Sequence, residues 1–154
     1  MTVAELFRID RSIDLAASPE RVWRALTTAA ELSAWFQVAI EGDIAVGKEV
    51  WMTSVHPNHA NARFKVRFID LSSPRRMVWQ WHPGEVDPNF DYNTEAETTV
   101  TFDLEPTAQG TRLTVSETGF DRISLARRAK VYRDNANGWA EVLVWLQKHV
   151  ENAR

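Results

Sequence analysis

Apolar residues recur at Leu125, Ala129, Tyr132, Ala136, Trp139, Leu143, Leu146 and Val150, alternately four and three positions apart. That spacing places them on one face of an α-helix. It predicts a helix from about Ser124 to about Glu151, roughly 42 Å long at ~1.5 Å per residue, enough to cross a small sheet. Gly138 lies inside it, where glycine costs about 1 kcal/mol relative to alanine and marks a kink or a close approach of helix and sheet.

Before this helix the period is mostly two. Phe7, Ile9, Ile13 and Leu15 alternate with polar residues, which reads as a half-buried strand, with Arg11 as the charged exception on the apolar face. Ser18 is a suitable N-cap and Pro19 a suitable first residue for a short helix carrying Val22, Trp23 and Leu26. Thr28 and Glu31 have capping-box spacing for a second short helix carrying Leu32, Trp35 and Phe36. Strands then return from Val38. The inward face of 49–55 is ambiguous, because Val50 and Met52 compete with Trp51 and Val55. Ala62, Phe64, Val66 and Phe68 share one face of the next strand, and Met77, Trp79 and Trp81 one face of its neighbour. Val100, Phe102 and Leu104, then Leu113, Val115 and Glu117, complete the pattern, so Glu117 is a second charge on a face that otherwise looks buried. The expected class is α+β, an antiparallel sheet covered by one long C-terminal helix.

At 154 residues the chain fits one domain spanning 1–154, and no repeat, linker or low-complexity segment divides it. A net charge of −3 argues against nucleic acid as the partner, and the basic face of Arg63, Lys65 and Arg67 carries no interleaved aromatics on its own side. The absence of cysteine excludes disulfides and thiolate chemistry and suits a reducing cytoplasm. No run has membrane-spanning length and no signal-peptide pattern opens the chain, so a cytoplasmic location is expected. From Glu85 to Glu97 there are five acidic residues and no basic one, within a Pro- and Gly-containing loop that reads as a mobile rim. That acidic rim would complement Arg127, Arg128, Lys130 and Arg133 at the helix start, either within the chain or from a second copy in a homodimer.

Ala17 to Phe36 (ASPERVWRALTTAAELSAWF), Met77 to Trp81, Thr111 to Phe120 (TRLTVSETGF), and Gly138 and Trp139 leading into Glu141, Leu143 and Leu146 carry a resemblance. The chain resembles the START-like (SRPBCC, Bet v 1-like) superfamily, and within it the family related to the activator of heat-shock-protein ATPase. The resemblance implies a helix-grip fold, in which a curved sheet of about seven antiparallel strands grips the C-terminal helix. It also implies a cavity between them that accepts small apolar molecules in relatives. A chaperone is a weaker expectation as partner, because the chain shows no second domain of the kind eukaryotic chaperone activators carry.

Within that frame Phe64, Phe68, Trp79, Trp81, Phe102, Tyr132 and Trp139, joined by Trp35, line either an aromatic ligand pocket or an ordinary core. The resemblance makes the first and last strands neighbours. Arg11 and Glu117 are then either a structural ion pair or the polar end of the pocket, with His82 or Gln80 as further orienting groups. The reading of choice is binding of a small hydrophobic or aromatic molecule without a cofactor. The alternatives are a cyclase- or hydrolase-type enzyme using Glu117 as acid or base, and a surface that stimulates a chaperone ATPase. His56, His59 and His82 lie near one another without a visible second shell, which argues against a metal site. No nucleophile elbow or Gly-rich phosphate loop is present.

Overall fold

The computed structural model describes residues 2–59, 61–84 and 89–152. A short helix α1 (Val3–Leu6) precedes β1 (Ile9–Leu15); α2 (Pro19–Thr27) and α3 (Ala29–Phe36) follow. Then come β2 (Val38–Glu41), β3 (Glu49–Ser54), β4 (Arg63–Ser72), β5 (Arg76–Trp81), β6 (Thr98–Thr107), β7 (Gly110–Thr118) and the long helix α4 (Leu125–Asn152). The seven strands form one sheet in the order β1-β7-β6-β5-β4-β3-β2, antiparallel throughout. The chain leaves β1 at one edge, passes through α2 and α3, enters the opposite edge at β2 and meanders back to β7. This is the expected α+β helix-grip architecture.

Ser18 caps α2, its Oγ accepting from the Arg21 amide at 3.2 Å, with Pro19 in the first turn. At α3 the helix begins where Thr28 and Glu31 place it, but the capping box does not form. Glu31 instead accepts from Arg21 at 2.6 Å and Arg24 at 3.2 Å, two charged partners that outcompete one backbone amide, and lies 2.9 Å from the His149 ring of α4. These contacts tie α2 and α3 to the last turns of α4. In β3 the ambiguity resolves toward Val50 and Met52, both fully buried, while Trp51 lies outside with Arg63 stacked 3.9 Å from its ring. An irregularity in the β4–β5 ladder between Phe68 and Asp70 exposes Ile69 and adds local twist.

Helix α4 runs without interruption through Gly138. Its buried face is Val131, Ala136, Trp139, Val142, Leu143, Leu146 and Val150. The first turn departs from the sequence pattern: Leu125 is 81% exposed and Ala129 is exposed, because α4 starts beyond the sheet. Its basic residues find partners within the chain. Arg127 pairs with Glu95 of the acidic segment, and Arg128 donates to the carbonyls of Asp121 and Ile123 at 2.7 and 3.0 Å. Of the expected rim, 85–88 lie outside the described residues. Its later part is anchored by Tyr92, which is buried and donates to the Gly84 carbonyl at 3.0 Å.

Candidate functional site

Glu117 sits near the end of β7 on the sheet face that meets α4, and it is completely buried. A buried carboxylate survives only with donors around it. Oε2 accepts from Thr98 Oγ1 of β6 at 2.6 Å and Trp81 Nε1 of β5 at 2.9 Å. Oε1 accepts from Trp139 Nε1 at 2.8 Å and Asn135 Nδ2 at 3.0 Å, both from α4. One side chain thus joins three adjacent strands to the middle of the helix. Burial pushes the Glu117 carboxyl above its ordinary range, while the hydrogen bonds from Thr98, Trp139, Trp81 and Asn135 pull the other way.

The two indoles fixed by Glu117 form the inner wall of a cavity of about 240 Å³ between α4 and the β2–β5 side of the sheet. Phe36, Phe64, Trp81 and Trp139 touch in a circuit, with centroid separations of 6.4 Å (Phe36–Phe64), 5.6 Å (Phe64–Trp81), 5.9 Å (Trp81–Trp139) and 6.3 Å (Trp139–Phe36). Trp145 and His56, stacked at 5.1 Å, also line it. Gly138 supplies a stretch of helix wall with no side chain, and nothing lies within 4 Å of where its Cβ would be. The cavity opens along α4 where Asp134 and Glu141 are exposed. His82 stands on the wall, and burial holds its ring below the usual histidine range, so it is neutral at pH 7. A second hollow is walled mainly by charged and polar side chains such as the Arg76–Asp103 ion pair, with Leu104 among them and no aromatic ring.

Of the residues anticipated from the sequence, Phe64, Trp81 and Trp139 line the cavity and Glu117 lies behind it. Phe68, Trp79 and Phe102 are fully buried behind these rings as core, with Trp79 at 4.9 Å from Phe102. Trp35 packs on Phe36 at 5.4 Å, and its indole donates to the Ala25 carbonyl at 2.8 Å, which fastens α3 to α2. Tyr132 is further along α4, between Phe7 and Phe120, with its hydroxyl on the Arg8 carbonyl at 3.2 Å. Arg11 does not meet Glu117. The β1–β7 register sets Arg11 opposite Val115 and Ile9 opposite Glu117, and the Arg11 guanidinium donates to the Asp10 carbonyl at 3.1 Å. Gln80 faces the outer surface, bonded to Arg67 and Thr99.

Phe36, Asn135, Gly138 and Trp145 belong to the site without having been singled out for it. Phe36 was legible as the last apolar residue of α3, and Asn135 and Gly138 as oddities of the helix; Trp145 follows Val142 by three positions and so borders the main stripe. Among the described residues no group of three or more His, Asp or Glu side chains converges as a metal centre would require. Among the described residues no helix is long and apolar enough to cross a membrane.

Solved structures with the same fold include a protein from Mesorhizobium loti, with a TM-score of 0.76 and 20% identity over 96% of this chain and 98% of that one. A protein from Nitrosomonas europaea has a TM-score of 0.75 and 18% identity over the full length of both chains. The Aha1 dimer from Colwellia psychrerythraea has a TM-score of 0.72 and 21% identity over 94% of this chain and 96% of that one. A search of the curated proteins finds no match. The family model described as "Activator of Hsp90 ATPase homolog 1-like protein" matches residues 16–151, and the chain belongs to that family.

Proposed function

We propose that this protein binds a small hydrophobic or aromatic molecule in the cavity between α4 and the sheet. The observation that carries the reading is the aromatic circuit of Phe36, Phe64, Trp81 and Trp139 around empty volume, with two of its rings held by hydrogen bonds to Glu117. Binding sites for small molecules are concave, mostly apolar and largely pre-formed. Pre-formation matters because rings already immobilised lose little entropy when a ligand arrives. Glu117 is a positioning residue in this reading. Its carboxylate is buried behind the indoles and its oxygens are occupied by donors, so it meets no ligand atom as general acid or base.

The test is the melting temperature and tryptophan fluorescence of the protein against a panel of one- and two-ring apolar molecules. Binding to the native state raises the melting temperature by mass action, and the indoles of Trp81, Trp139 and Trp145 report occupancy. A saturable spectral change with a raised melting temperature supports the reading; a flat response across the panel overturns it. The family match and the likeness to the Aha1 dimer favour one second reading, stimulation of a chaperone ATPase. That activity works through the surface, and so survives when the cavity is filled by mutation.

A further inference from the structure

The polar atoms around the cavity are unequal in kind. The indole donors of the aromatic circuit, those of Trp81 and Trp139, are turned onto Glu117. Asn135 must present its Nδ2 to the same carboxylate, since Oδ1 there would face an acceptor. Its Oδ1 is therefore the atom left for the cavity. It accepts no hydrogen bond among the described residues. His82 is neutral and bonds to the Ala96 backbone, and its buried Nδ1 has no partner among the described residues. At the opening stand two carboxylates: Asp134, paired with Lys130 at 2.6 Å, and Glu141, which forms no ion pair among the described residues.

Among the described residues no lysine or arginine belongs to the cavity wall. Of the cations around it, Lys130 is held by Asp134, and Arg127 is neutralised by Glu95 and donates to the carbonyls of Pro83 and Gly84. Aromatic faces themselves carry negative potential and attract cations. Acceptors, the unpaired Glu141 carboxylate and ring faces thus outweigh the donors left on the wall, the Trp145 indole and the Ser54 hydroxyl. We propose that the ligand is a one- or two-ring aromatic amine, its ring held in the aromatic circuit and its ammonium directed to Asn135 Oδ1 and the Glu141 carboxylate. A carboxylate on the same ring system is repelled at that opening. This inference rests on the cavity-binding reading above and adds the charge of the ligand to it.

Isothermal titration calorimetry with 1-naphthylmethylamine, 1-naphthylmethanol and 1-naphthoate at pH 7 tests it, because the three share a ring body and differ in charge. The amine is expected to bind about tenfold or more tighter than the carboxylate, with the alcohol between them. The amine's advantage over the alcohol should shrink at high salt and in Glu141→Gln, while the alcohol's own affinity holds. If the carboxylate binds as tightly as the amine, or more tightly, the charge preference is wrong and cavity binding stands. If none of the three gives a saturable heat, cavity binding itself fails and the preference with it.

Discussion

Trp139 Nε1 donates to Glu117 Oε1 across 2.8 Å, a bond between the middle of the long helix and the last strand of the sheet, buried from water on both sides. It makes the position of α4 over the cavity depend on one carboxylate. Trp79 provides the natural contrast, since it is an equally large ring in the same cluster whose Nε1 is buried without a partner among the described residues.

Trp139→Phe and Trp79→Phe remove similar ring volume, but only the first removes a bond to a buried carboxylate. Such a bond is worth about 1.5–3 kcal/mol, whereas an unpaired indole N–H contributes nothing to be lost. Trp139→Phe is therefore expected to cost about 2 kcal/mol more than Trp79→Phe in urea unfolding at pH 7.

Glu117→Gln keeps the shape but offers one acceptor oxygen to donors from Thr98, Trp81, Trp139 and Asn135. The indoles lose part of their hold, and affinity for an aromatic ligand should fall about tenfold in calorimetry. Stability carries a separate signature. The carboxyl is raised in the folded state, so between the ordinary carboxylate range and its raised value the native protein holds more protons than the unfolded chain. Wild-type stability relative to the variant thus falls as pH rises through that window, a slope that denaturation at a series of pH values reads directly.

Gly138→Ala should raise stability by about 1 kcal/mol, because the new methyl removes the helix penalty of glycine and meets no atom within 4 Å. Gly138→Leu places a larger side chain on the cavity wall and should abolish ligand binding in a protein that still unfolds cooperatively. Unfolding midpoints and calorimetry on both variants check the pair.

Periodicity made the long helix, the strand faces and the paired short helices legible, since burial of one face is a property of the local sequence. Partnership across strands was not. Arg11 and Glu117 both stood out as charges on apolar faces, but whether they meet depends on register, and a two-residue offset put Ile9 opposite Glu117. The real partners came from β5, β6 and α4, a convergence that no single segment encodes. Trp79 and Trp81 had identical standing in the pattern, and only tertiary placement made one core and the other cavity wall. Leu125 and Ala129 continued the helical stripe past the edge of the sheet, where there was nothing left to bury them.

The seven tryptophans provide the most direct test of the binding site, because each indole N–H gives its own signal in a nitrogen–proton correlation spectrum. Titration with 1-naphthylmethanol is predicted to shift the signals of Trp81, Trp139 and Trp145 saturably and together. Trp51, on the outer face with Arg63, and Trp35, bonded to Ala25, should stay in place. Saturable shifts at Trp51 or Trp35 with none at Trp81 and Trp139 would contradict the account, since the ligand would then occupy another surface.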